Sequence, residues 1–231
     1  MKDRVGILAS GEGSTFEALW WAINRGATDD VELSFVVTNN SSNGIWSRAR
    51  RLGVPIFHIS NNTQDTATFP QVNGSDAKGT ISYEVSEAIA DLSQEYDVKM
   101  LAALGFMKRV VGRVLQEVPI INLHQGPLGQ DKITAGLKTS EIQDYILANG
   151  YKYSGPTVYW MGTKLDVNDM PEYDDGEEIG HEPVAVTNAM RDQWQKNHSS
   201  ELLEEEVKKH EKIWVPIWIR DALDQLNKGT K

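Results

Sequence analysis

The 231-residue chain contains no cysteine, which removes disulfides, thiolate metal sites and a thiol nucleophile from consideration. No apolar run approaches the length that spans a bilayer. The opening Met1-Lys2-Asp3-Arg4 runs straight into a short apolar stretch, without the apolar segment and cleavage site of a secretory signal. These features predict a soluble, cytoplasmic protein. Positive charge is in deficit: 23 Lys and Arg against 33 Asp and Glu give a formal charge of −10, which argues against nucleic-acid binding. Much of that deficit is local. Asp169, Glu172, Asp174, Asp175, Glu177, Glu178 and Glu182 occur with no Lys or Arg among them, and such a run reads as a solvated loop. The five histidines are scattered and offer no ligand cluster, so no metal is expected. A Gly-x-Ser-x-Gly elbow is also missing, which removes one kind of covalent catalysis.

What is present is an alternation of apolar strands and amphipathic helices. Residues 4–10 read as a strand, Gly11 and Gly13 as a turn, and Ser14 onward as a helix with Phe16, Leu19, Trp20 and Ile23 on one face. Strands follow at 31–38, 54–59 and 98–103, with helices at 44–52 and 81–96 between them. Residues 61–79 read as a loop. A turn at Gly105, a helix, the strand ending at His124, a helix at 140–148 and a strand at 156–161 come next. The tail from Ser199 reads as a helix with Leu203, Val207, His210 and Trp214 as its apolar stripe. Alternation of this kind implies one α/β domain, a mostly parallel twisted sheet with helices on both faces.

Two places suggest chemistry. Val118-Pro119-Ile120-Ile121-Asn122-Leu123-His124 reads as a buried strand ending in two polar residues. Asn122 and His124 are two apart and share a face, at the strand end where open α/β sheets bind ligands. An amide donor beside an imidazole suits oxyanion stabilisation and proton transfer. At Ser10-Gly11-Glu12-Gly13-Ser14-Thr15, a Gly-rich turn opens a helix and could receive a phosphate. It has neither the third glycine of a dinucleotide fingerprint nor the Gly-Lys-Ser/Thr of a P-loop, so a mononucleotide-type phosphate is favoured.

Several segments, taken in order, resemble the glycinamide ribonucleotide formyltransferase family of purine biosynthesis. They are the opening strand with Ser-Gly-Glu-Gly-Ser-Thr, Thr38-Asn39-Asn40 with Gly44 and Arg48-Ala49-Arg50, Leu104-Gly105-Phe106-Met107, Asn122-Leu123-His124, Gly162-Thr163-Lys164-Leu165-Asp166 and Lys208-Lys209-His210-Glu211. The resemblance implies a Rossmann-like formyltransferase fold spanning 1–231. Residues 1–110 would be the phosphate-binding half and 111–231 the catalytic and folate-binding half, with an acidic loop at 167–183. It implies formyl transfer from the co-substrate 10-formyltetrahydrofolate to the amine of glycinamide ribonucleotide, by direct attack and without a metal. Asn122, His124 and Asp166 would be catalytic. Gly11, Gly13, Ser14, Thr15, Lys208 and Glu211 would bind the acceptor's phosphate and ribose. Phe106, Met107, Val110, Thr163, Lys164 and Leu165 would hold the folate. The partners would be small molecules, with no nucleic acid and no membrane, and the protein a monomer or homodimer.

Alternatives are another formyl-folate enzyme (a sugar-nucleotide or other amine N-formyltransferase, or a formyltetrahydrofolate deformylase) and a non-catalytic folate- or nucleotide-binding relative. Two departures stand out: Thr15 where the family usually has Asn, and Gln125-Gly126-Pro127 after His124, where it usually has Pro and a further His downstream.

Overall fold

The computed structural model describes residues 2–40, 44–59, 80–129, 131–162, 174 and 176–229. In chain order its elements are β1 (Asp3–Leu8), α1 (Ser14–Asn24), β2 (Val31–Thr38), α2 (Gly44–Leu52), β3 (Ile56–His58), α3 (Tyr83–Glu95), β4 (Met100–Ala103), α4 (Arg113–Glu117) and β5 (Ile120–His124). There follow α5 (Thr139–Ala148), β6 (Tyr153–Ser154), β7 (Thr157–Trp160), β8 (Glu178–His181), β9 (Val184–Ala185), α6 (Asn188–Asn197) and α7 (Glu201–Asn227). The loop expected at 61–79 lies outside the described residues.

Seven strands form one sheet in the order β3-β2-β1-β4-β5-β7-β8. The first five are mutually parallel; β7 pairs antiparallel to β5, and β8 antiparallel to β7, so that only β7 is reversed. Parallel strands are covered on both faces, which is why β1, β4 and β5 read as nearly continuous apolar runs. One face packs Val5, Ile7, Ala102, Ile121 and Leu123 against α1, α2 and α7. The other packs Leu8, Phe35, Leu101 and Ile120 against α3 and α4. A small satellite core joins α5, α6, β9 and the start of α7 through Ile146, Met190, Leu203 and Val207.

The structure corrects two expectations. The acidic run is not wholly a solvated loop: Glu178–His181 is a strand paired with β7, and Asp174 is largely buried at 10% side-chain exposure. The stripe of α7 runs through Leu203, Val207, Glu211 and Val215, with His210 only half-buried, because successive i+4 steps from Val207 reach Glu211 rather than His210. The helix expected after the Gly105 turn is α4, which starts at Arg113 after a non-helical stretch that ends at Gly112, whose φ of 73° and ψ of −150° belong to glycine.

Candidate active site

β5 delivers Asn122 and His124 to its carboxyl end, on the face opposite Ile121 and Leu123. Beside them lies a cavity of about 320 Å³, bounded by the turn after β4, by β5, by β7 and by Asp174. Phe106, Met107, Val110 and Met161 give it an apolar side, and Asn122, His124, Tyr159 and Asp174 a polar one.

The polar side is a connected network. Asn122 and Tyr159 are direct partners in the β5–β7 register, so their side chains share a face. The Asn122 amide Nδ2 donates to the Tyr159 hydroxyl at 2.7 Å, and that hydroxyl donates to Asp174 Oδ1, also at 2.7 Å. Asp174 Oδ2 accepts the Gly136 backbone N–H at 2.8 Å. His124 Nδ1 stands 3.6 Å from Asp174 Oδ1, an electrostatic contact longer than a hydrogen bond.

The other ring nitrogen fixes the tautomer. His124 Nε2 lies 2.9 Å from the Thr134 hydroxyl, whose own proton goes to the Pro127 carbonyl at 2.9 Å. With that proton committed, the hydroxyl can only accept from His124, so Nε2 carries hydrogen and Nδ1 holds the lone pair. Burial pushes His124 below its ordinary pKa, and the Asp174 carboxylate opposes the shift. The imidazole is therefore neutral at neutral pH, with a proton-accepting nitrogen turned to a carboxylate.

A second polar cluster lies where α7 crosses the start of α1. Glu211 is only 2% exposed. Its Oε2 accepts from Thr15 Oγ1 at 3.3 Å, the Gln125 side chain also faces it, and among the described residues Oε1 has no hydrogen-bond partner. Burial pushes its pKa up to about 7, against the pull of Thr15, Gln125, Lys208 and Lys212. Gln125 also lines the cavity, so the two clusters meet at that residue.

The Gly turn lies at the same edge of the sheet. Gly13 caps α1 with φ of 76°, a backbone conformation that favours glycine, and a Cβ there would also press on Ile45, whose Cα would lie 3.2 Å away. Gly13, the N-cap of α1, has no side chain with which to cap the first turn, and the N–H groups of a helix start suit an anion. The Ser10 hydroxyl donates to the Asn39 side chain and accepts the Met107 N–H at 2.8 Å. It thereby ties the ends of β1 and β2 to the turn after β4.

A family model described as Formyl transferase matches residues 3–216. The chain belongs to the formyl transferase family. Among curated relatives, phosphoribosylglycinamide formyltransferase, chloroplastic, from Arabidopsis thaliana is 25% identical over 170 residues, which is 71% of this chain and 52% of that protein. The Glycine max protein of the same name is 23% identical over 167 residues, 71% of this chain and 50% of that one. The chain thus spans about half the length of the curated relatives it matches. Among solved structures, glycinamide ribonucleotide transformylase 1 from Symbiobacterium toebii superposes with a TM-score of 0.72 at 25% identity, covering 95% of this chain and 86% of that one. Phosphoribosylglycinamide formyltransferase from Bacillus halodurans gives 0.72 at 18% identity over 97% of both chains, a likeness of fold.

For a formyl transferase chain, the expected residues fall into three groups. Asn122, His124, Phe106, Met107 and Val110 line one cavity. Gly11, Gly13, Ser14, Thr15 and Glu211 lie around the α1 start, whereas Lys208 is half-exposed and ion-paired with Glu204 at 3.5 Å. Thr163, Lys164, Leu165 and Asp166 lie outside the described residues. Among the described residues, the carboxylate beside His124 is Asp174.

Asp174, Tyr159 and Thr134 were missed by the sequence reading. The acidic run hid Asp174, although the Asp-Gly pair that follows it, before a strand, is a turn signal. Tyr159 looked like any strand aromatic until the β5–β7 register placed it opposite Asn122. No side-chain pattern marked Thr134. Among the described residues, no group of three His, Asp or Glu side chains could hold a metal, and no helix is long and apolar enough to cross a membrane.

Proposed function

We infer that the protein transfers a formyl group from 10-formyltetrahydrofolate to the primary amine of glycinamide ribonucleotide. The observation that carries this reading is the pairing of Asn122 with a neutral, carboxylate-facing His124 at one end of a half-apolar cavity, in a formyl transferase chain. The names of the relatives supply the acceptor.

In this reading the folate ring lies along Phe106, Met107 and Val110, and the formyl carbon is presented to Asn122. Attack by the amine forms the new C–N bond and turns the formyl oxygen into an oxyanion. Asn122 donates its remaining amide proton to that oxyanion, and loss of such a donor costs ~10²–10³ in rate. The proton shed by the amine passes to His124 Nδ1, where Asp174 stabilises the imidazolium. It then moves to the folate nitrogen as the old C–N bond breaks, so no proton is left over. Asp174 takes the role expected of Asp166. The acceptor's phosphate meets the uncapped start of α1 with Gly11, Gly13 and Ser14, its ribose meets Glu211 and Thr15, and Lys208 swings from Glu204 to the phosphate.

Absorbance-followed formyl transfer, with and without glycinamide ribonucleotide and beside His124→Ala, tests the reading. Acceptor-dependent turnover that disappears in the variant supports it. Turnover without acceptor indicates a deformylase. A wild-type protein that binds folate but turns nothing over refutes it.

A further inference from the structure

The proton count around Tyr159 has a consequence for the oxyanion donor. Tyr159 has one hydroxyl proton, and it goes to Asp174 Oδ1 at 2.7 Å. A carboxylate only accepts, and Asp174 is already oriented by the Gly136 N–H on its other oxygen. The Tyr159 oxygen must then accept from whatever faces it on the Asn122 side. The carboxamide oxygen has no proton to give, so the group 2.7 Å away is the NH₂. The orientation of the Asn122 amide, which its own near-symmetric shape leaves open, is thus dictated from Asp174 through one phenol.

We propose that Tyr159 is the positioning residue of this site. It holds the Asn122 amide with one N–H tethered and the other left for the oxyanion. Three features support a built device. Tyr159 is only 4% exposed, so water cannot easily replace it. It is the register partner of Asn122 on β7. Opposite it the register of β8 steps from Gly180 to Glu178, leaving Ile179 as the extra residue of a β8 bulge, an irregularity of the sort found beside active sites. Tyr159 touches no reacting atom itself. It removes the wrong amide orientation, in which a carbonyl oxygen would face the developing negative charge.

The kinetic arm of the test rests on the formyl-transfer reading, and a spectroscopic arm does not. Tyr159→Phe keeps the buried ring and deletes the tether. Its kcat is expected to fall by between about 10-fold and ~10²-fold, the range for a misplaced catalytic group, with the KM for the formyl donor within about twofold of wild type. The same substitution made on Asn122→Ala should cost nothing more, because Tyr159 acts through that amide. A Tyr159→Phe enzyme with unchanged kcat, or a full loss that persists without Asn122, overturns the proposal.

Isotope-edited NMR of the Asn122 side-chain amide supplies the second arm. One shifted, exchange-protected amide proton in the wild type that is lost in Tyr159→Phe supports the tether. An amide that rotates freely in the wild type overturns it. If the wild type transfers no formyl group, the functional reading fails and this arm decides alone. It also decides, from the wild-type spectrum, if Tyr159→Phe does not fold.

Discussion

Replacing Glu211 by Gln should shift the balance of stability toward the variant as pH rises. Glu211 is 2% exposed, and its pKa rises from 4.5 to about 7 because burial penalises the carboxylate more than Thr15, Gln125 and the nearby lysines favour it. Between those two values the folded state binds a proton that the unfolded state has released. Folding stability therefore falls as pH rises through this window, and the cost is complete above about pH 7. At about 1.4 kcal/mol per pH unit, the interval from 4.5 to about 7 amounts to about 3 kcal/mol. Gln has the same shape and cannot ionise. Its unpaired amide adds an offset that is the same at every pH, so the informative quantity is how the difference between the two proteins changes with pH.

Thermal melts of both proteins measure that change. The melting-temperature difference should move in favour of Glu211→Gln by roughly 5–10 °C between about pH 4.5 and about pH 8. Titration of His124 and of surface groups cancels in the comparison. A difference that stays constant across the range would show that Glu211 ionises normally and would refute the argument. Binding gives an independent check. A sugar hydroxyl that donates to the unpartnered Oε1 favours the carboxylate, so binding of glycinamide ribonucleotide near neutral pH should release a proton. Calorimetry in buffers of different ionisation enthalpy would detect it.

Asp174→Asn should lower kcat by ~10² or more and move the acidic limb of the kcat/KM profile to lower pH. The carboxylate raises the His124 pKa while burial depresses it, so its removal leaves burial unopposed; a limb that stays in place would contradict the assignment. Gly176→Ala should cost roughly 2–5 kcal/mol, read in denaturant melts. The residue has φ of 147°, and a Cβ would lie 1.5 Å from the Trp160 carbonyl oxygen. A near-native melting curve would show that the segment carrying Asp174 can be rebuilt without strain.

Most of the scaffold was legible in the sequence because parallel strands buried on both faces leave unbroken apolar runs, as at Ile120-Ile121 and Phe35-Val36-Val37. Elements at the antiparallel edge were not. β8 lies in an acidic stretch whose charge outweighs any alternation. α6 presents only Met190 and Trp194 as spaced apolar residues, within a polar run from Asn188 to Asn197. The site divided along the same line. Asn122 and His124 announced themselves as polar residues closing an apolar strand. Tyr159 and Asp174 acquire meaning only once β7 pairs with β5, a long-range contact that no local window contains. Glu211 was legible as a charge on a helix but not as a buried one, since its burial follows from the way α7 crosses α1.

The reversal of strand direction between β5 and β7 also bears on how the protein comes into being. Asn122 and His124 are complete at the end of the parallel core, whereas the phenol, the carboxylate and Glu211 arrive later in the chain and from different elements. A nascent, truncated or kinetically trapped chain would therefore present the amide and the imidazole without the groups that orient and charge them. The contact of Glu211 with Thr15 spans 196 residues, and contacts of such separation form late and slowly compared with local ones. Competence would then appear in a refolding time course as a step after the bulk of the secondary structure, which makes turnover a reporter of finished topology in a way that circular dichroism is not.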